Sequence, residues 1–185
     1  MSIRTRVSMG TLALSLALAL VAFSESSLAQ RDAGAKMRGE VGRGYWSGRS
    51  AQLRMRHARD YAGGAFDYTA RAPRVQRPVV RTEAAEVDRN IQAARERLKK
   101  LRAEIGESEE LLAALARVEK HLAAAMEHHE ALCTQCDAAD ATDEDLMHCC
   151  NDVITELDLA LAEHAALMRK LIADPLPDED AAPRN

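Results

Sequence analysis

From residue 82 onward, apolar residues recur three and four positions apart, the period of a one-sided helix. Val87, Ile91, Ala94, Leu98, Leu101 and Ile105 form a first stripe. Thr82 is placed to cap it, Glu83 and Glu86 sit near the positive end of its dipole, and Gly106 is placed to stop it. A second stripe runs through Leu111, Leu115, Val118, Leu122, Ala125, His129, Leu132 and Cys136 behind Ser108 as a cap. A third helix, opening at Thr142 with Asp145 set for a capping box, carries Leu146, Cys150, Val153, Leu157, Ala160, His164, Leu167 and Leu171 before Pro175. Short turns predict antiparallel neighbours. The fold expected is all-α: an antiparallel three-helix bundle over 82–173, a coiled-coil-like hairpin plus one helix. So small a core could also be completed by a second copy, making a homo-oligomer through the coiled-coil seam.

The preceding stretch, 30–81, reads differently. Gly34, Gly39, Gly42, Gly44, Gly48, Gly63-Gly64, Pro73 and Pro78 punctuate it, and few residues repeat at a core-forming period. It is expected to be a largely disordered basic arm with at most a short helix near residues 50–61. Residues 174–185, acidic and proline-rich, are expected to be a disordered tail. At the other end, Arg4 and Arg6 precede an apolar run from Leu12 to Phe23 and then Ser27-Leu28-Ala29. That run is short for a bilayer span, and small residues occupy the positions a signal peptidase inspects. Residues 1–29 therefore read as a secretory signal cleaved near Ala29, with the mature chain exported to a periplasm or the extracellular space.

Charge sharpens the division. Residues 30–81 hold twelve Lys/Arg against four Asp/Glu, whereas 82–185 hold eleven against twenty-four. Tyr45, Trp46, Tyr61, Phe66 and Tyr68, the aromatics beyond Phe23, all lie in the basic stretch. Arginine interleaved with aromatics resembles nucleic-acid-binding tails, but export argues against a specific nucleic acid. Anionic envelope polymers, lipid head groups, or the acidic bundle of the same or a neighbouring chain suit the arm better, beside the plainer reading of a solvated tail.

The concentrated chemistry lies between His128 and Cys150, which contains all four cysteines and three of the six histidines. At about 100° per residue, His129, Cys133 and Cys136 share the core face of their helix. Cys150 lies in the facing seam, Cys149 lies at its edge, and His148 points away. Two chemistries fit. His129, Cys133, Cys136 and Cys150, with Cys149 and Met126 as further donors, form a soft set suited to Zn or Cu(I). Alternatively, in an oxidising compartment, Cys133 and Cys136 pair with Cys149 and Cys150 as disulfides stapling the hairpin. His121 and His164 are a looser candidate for a second metal site, against the simpler reading of His164 as a satisfied core histidine.

Sharper motifs fail on inspection. Cys133-Thr134-Gln135-Cys136 lacks the following His of a haem attachment, and it closes a helix where a thioredoxin-like pair opens one. His129 to Cys133 lacks the second His of a zincin, and no Glu-x-x-His occurs. The cluster broadly resembles the cysteine-rich helical metal-storage proteins of bacteria. Those line a whole bundle with cysteine, whereas this chain has four at one end, too few for a family match. No catalytic residues are expected. The functional expectation is a non-enzymatic exported helical protein binding a soft metal ion. The alternative is a disulfide-stapled structural or interaction module of the cell envelope using its basic arm for anionic partners. A thiol oxidoreductase built on Cys133 and Cys136 ranks third.

Overall fold

Mostly small residues recur at helical spacing between Gly44 and Ala72: Ala51, Ala58, Ala62, Ala65 and Thr69 are all buried, with Met55 the one large side chain among them. Because most of this stripe is alanine, its hydrophobic signal is faint, yet small side chains let a helix approach its neighbours closely. In the computed structural model, which describes residues 44–173, this segment is a full helix. The bundle has four helices: α1 (Tyr45–Arg71), α2 (Arg77–Ile105), α3 (Glu109–Asp137) and α4 (Asp143–Ala173). The expected three-helix bundle with a largely disordered basic arm is thereby corrected. The arm's residues supply α1 and the first turns of α2. The supposed signal (1–29), most of the stretch leading to α1, and the segment 174–185 lie outside the described residues.

Each helix contacts the next in sequence, and α1 also contacts α4, so the four close into a ring. The diagonal pairs make no close approach. With linkers as short as 72–76, 106–108 and 138–142, this is an up-down-up-down arrangement rather than a hairpin with one added helix. The main core threads all four stripes, among them Met55, Ile91, Leu98, Leu115, Leu122, Leu157 and Leu167. Burying each such side chain stabilises the fold by about 1.5–3 kcal/mol relative to exposure.

Local chemistry sets the helix ends. Gly44 precedes α1 at φ 89°, and Gly106 ends α2 at φ 62°, both conformations that L side chains rarely adopt. A Cβ on Gly44 would also meet Leu101 of α2 and Leu171 of α4. One on Gly48 would overlap the Met168 Sδ, so glycine here sets how near α1 lies to α4. α2 starts six residues earlier than the Thr82 cap predicts, with Gln76 in the cap position. Pro78 occupies its first turn, where a missing N–H costs nothing, and Thr82 Oγ1 donates to the Pro78 carbonyl at 2.9 Å. The expected box at α4 forms: Asp145 N–H donates to Thr142 Oγ1 at 3.1 Å, and Thr142 N–H donates to Asp145 Oδ2 at 2.8 Å.

The candidate site at the cysteine end and the outer face of α1

One end of the bundle gathers the C-termini of α1 and α3 and the N-termini of α2 and α4. A second, smaller core forms there from Ala65, Val80, Ala84, Leu132, Cys136, Leu146 and Cys150, with Phe66, Tyr68, Cys133 and Cys149 packed against it. The antiparallel α3–α4 hairpin therefore does bring the four cysteines to one place. The basic stretch, as α1 and the first turn of α2, decides what kind of place it is. Ala65 from α1 and Val80 from that first turn, next to Ala84, fill the space that a three-helix arrangement would leave beside the sulfurs.

All four cysteines are free thiols, which corrects the expected pairing of Cys133 and Cys136 with Cys149 and Cys150. Among the described residues, no group of three or more His, Cys, Asp or Glu is arranged to hold a metal ion. The soft-metal reading of His129, Cys133, Cys136, Cys150 and Cys149, with Zn or Cu(I) as cofactor and the ion as partner, is overturned with it. His129 shows why. Its Nε2 donates to the Ala84 carbonyl of α2 at 2.9 Å, which fixes the tautomer and engages the nitrogen nearest the Cys133 sulfur, 3.6 Å away. The other nitrogen, Nδ1, is buried without a partner.

The thiols are also poor nucleophiles. Burial, with the neighbouring Cys136 and Cys149 adding to it, pushes the Cys150 thiol up to about 12. Cys133, Cys136 and Cys149 are raised as well, each chiefly by burial. A thiol held neutral in this way is not the activated thiolate a redox enzyme needs.

The outlying histidines do not form a second metal site either. His121 Nδ1 lies 2.7 Å from Glu156 Oε2 across the α3–α4 seam. His164 is fully buried between α4 and α1, and among the described residues neither of its nitrogens has a hydrogen-bond partner. Burial depresses its pKa to about 4, and main chain at Gly48, near but outside hydrogen-bonding geometry, offsets this only in part. It is a core histidine, but not a satisfied one. His128 and His148 each approach Asp152, at 3.8 Å, from the two helices.

Sequence reasoning missed the work of two arginines at this end. Arg77 Nη2 donates to the Ala141 carbonyl at 2.6 Å, and Arg77 Nη1 bonds the Ala138 carbonyl. Arg81 Nη2 donates to the Cys136 carbonyl at 3.1 Å and pairs with Asp137. Together they hold the last carbonyls of α3 and the linker after it, where the helix dipole is negative. Their positive charge, counted as part of an arm, is structural.

The second notable surface is the outer side of α1. Trp46 and Leu53 are each 53 % exposed and Tyr61 is 38 % exposed. At about 100° per residue these three fall within roughly 80° of one another, opposite the buried alanine stripe. Exposed Arg49 and Arg56 flank them on one side and Arg54 on the other. The charge division recurs in space: residues 45–105 carry fourteen Lys/Arg against seven Asp/Glu, and residues 109–173 carry four against fourteen. Part of this imbalance is used internally. Arg59 of α1 pairs with Asp158 of α4 at 3.2 Å, and Arg102 of α2 pairs with Glu119 of α3 at 2.5 Å. Both pairs run between helices of the one bundle.

No protein-family model, curated protein sequence or solved structure matches the chain. No described helix is long and apolar enough to cross a membrane.

Proposed function

We propose that the chain is an exported, non-catalytic docking module that uses the outer face of α1 to hold acidic polypeptide segments. The observation that carries this reading is the exposure of Trp46, Leu53 and Tyr61 in one stripe bordered by Arg49, Arg54 and Arg56. Exposed large apolar residues scattered singly need no explanation. Three on one helix face, with Arg49, Arg54 and Arg56 beside them and His57 and Asp60 among them, match the anchor-and-rim composition of recognition surfaces, where aromatics and arginine are enriched. Protein carboxylates are the favoured counter-charge because Arg59, Arg81 and Arg102 already pair with Asp158, Asp137 and Glu119 within the chain. Export rests on the pattern of Arg4, Arg6, the Leu12–Phe23 run and Ala29. The raised thiols favour a role other than thiol chemistry.

Trp46 is the sole tryptophan, so its fluorescence reports on this face directly. Titrating the full chain with a synthetic peptide of Asp and Glu residues interrupted by Leu should give a saturable change, weakened by about 0.5 M NaCl as expected for exposed charges. The double variant R49E/R56E, altered only at exposed positions, should keep its helicity and bind at least tenfold more weakly. No saturable change, or binding of anionic phospholipid vesicles without binding of the peptide, would overturn the reading.

A further inference from the structure

We infer that a second copy of this chain covers the outer face of α1, with the two α1 helices antiparallel across a two-fold axis. This pairing rests on the docking reading above for its choice of face, and it is the state that an acidic ligand must displace. The surface differs from the apolar stripes of α2, α3 and α4, which α1 completes within one chain.

The charges along α1 point to a like partner. Exposed Arg49, Arg56, Asp60 and Asp67 follow one another at intervals of seven, four and seven residues. Arg49 and Asp67 are therefore equidistant from residue 58, and so are Arg56 and Asp60. At about 100° per residue all four fall within about 40° of one another, beside Trp46 and Leu53. In a two-fold interface, a residue that meets another is met by it in return. An antiparallel pair centred on residue 58 lays Arg49 against Asp67 of the second copy, and Arg56 against Asp60 of the second copy. Symmetry repeats both contacts, so cations meet carboxylates four times along one edge. A parallel pair would set like charges together, which costs affinity.

The apolar side chains accept the same register. Leu53 lies opposite the stretch from Tyr61 to Gly64 of the second copy, and Trp46 lies opposite the last turn of its α1. Two hollows of about 300 Å³ each run along this face, one beside Trp46 and Leu53 and one beside His57 and Tyr61, and give the facing side chains room. Buried aromatic and aliphatic anchors supply most of the affinity, while the charges fix register and direction. Asp67 also meets Arg71 at 3.5 Å, but both are largely exposed and such a contact is weak. An external acidic segment gains nothing from Asp60 and Asp67, whereas a second copy uses all four charges.

The test is sedimentation velocity on the full chain at pH 8, over concentrations from about 1 to 200 µM. Wild type should pass from monomer to dimer with a midpoint of about 10 µM, within the wide range that helix-sized interfaces span. Trp46 emission should shift to shorter wavelength over the same range. R49E/R56E makes the edge wholly acidic and D60R/D67R makes it wholly basic, so each alone should raise the midpoint at least about thirtyfold. Mixed in equal amounts, the two variants should dimerise again near the wild-type midpoint, because every reversed charge then meets its opposite. That rescue requires both variants to be folded. If wild type stays monomeric to about 200 µM yet binds the Asp/Glu/Leu peptide, the pairing falls and the docking reading stands. Dimers that follow the charge pattern while no peptide binds would support the pairing and remove the docking reading. Dimers indifferent to both variants, a mixture that stays monomeric, or species that grow beyond the dimer would each overturn the pairing.

Discussion

His164 places an imidazole where α4 meets α1, with both ring nitrogens lacking hydrogen-bond partners and burial holding its pKa to about 4. The unfolded chain titrates this ring near its ordinary 6.5. Above that value the ring is neutral in both states and adds no pH dependence. Below it the unfolded chain takes up a proton that the native core refuses, so stability falls with pH until about 4, where the native ring also protonates. The gap between 6.5 and about 4 corresponds to about 3 kcal/mol at 1.36 kcal/mol per pH unit. For a domain of this size that is roughly a 10 °C drop in Tm. The perturbation is H164L, which keeps the volume and removes both orphaned nitrogens. Urea unfolding of the full chain from pH 7 to pH 4 should show the wild type losing about 3 kcal/mol more than the variant. The variant should be at least as stable at pH 7, because an unpartnered buried polar group is a cost. The His121–Glu156 and His128–Asp152–His148 contacts are common to both proteins and cancel in the comparison. Glu110, held low by Lys170, and Asp145, held low by Thr142, lose their contributions only as pH falls below their ordinary values of 4.5 and 3.8, at or beneath the bottom of the window. An H164L protein with the wild-type acid slope, or one destabilised by about 2 kcal/mol at pH 7, would refute the assignment.

Two further expectations follow from packing and burial. At Gly48 an added Cβ overlaps Met168, so G48A should cost about 1–2 kcal/mol even though alanine is the better helix former, whereas G63A, with only Arg59 Nη1 within 4 Å of the added carbon, should stabilise by about 0.5–1 kcal/mol. Thermal unfolding of the pair checks this, and equal effects at both sites would show that helix propensity, not close approach of α1 to α4, governs. Under a disulfide reagent at pH 8, the half-buried Cys133 and Cys149 should react before the buried Cys136 and Cys150. Against its reference of 9.0, Cys150 at about 12 has a thiolate fraction about 1,000-fold lower, so its labelling should await unfolding. Simultaneous labelling of all four would contradict the burial of Cys136 and Cys150.

Residues with strong, regular signals were legible from sequence. The stripes beginning at Val87, Leu111 and Leu146 became the buried faces of α2, α3 and α4, Gly106 ended its helix, and Thr142 and Asp145 formed their box. The convergence of four cysteines at one end was legible too, because a tight reversal between two long helices leaves little alternative. α1 was not. Its stripe is mostly alanine, and hydrophobic pattern reading weights bulk, while the Gly63-Gly64 pair resembles a breaker although both glycines sit inside the helix. Helix propensity is a weak prior that neighbouring surfaces can override, and here α2 and α4 supply those surfaces.

The amino-acid order alone thus determined an all-α bundle, the inward faces of three of its helices, and the segregation of basic from acidic charge. Those properties are local: they depend on residues a few positions apart and on side-chain ionisation. Tertiary structure alone decided that the alanine-rich segment would dock as a fourth helix and that Arg77 and Arg81 would hold the end of α3. It also decided that His129 would donate to Ala84 rather than face a hollow among sulfurs. The same four cysteines would offer donors in an open three-helix mouth, but with Ala65, Val80 and Ala84 packed against them Cys136 and Cys150 become buried thiols and Cys133 and Cys149 half-buried ones. The physical reason is that donor capacity depends on the space and dielectric around a group, and residues far away in sequence set both.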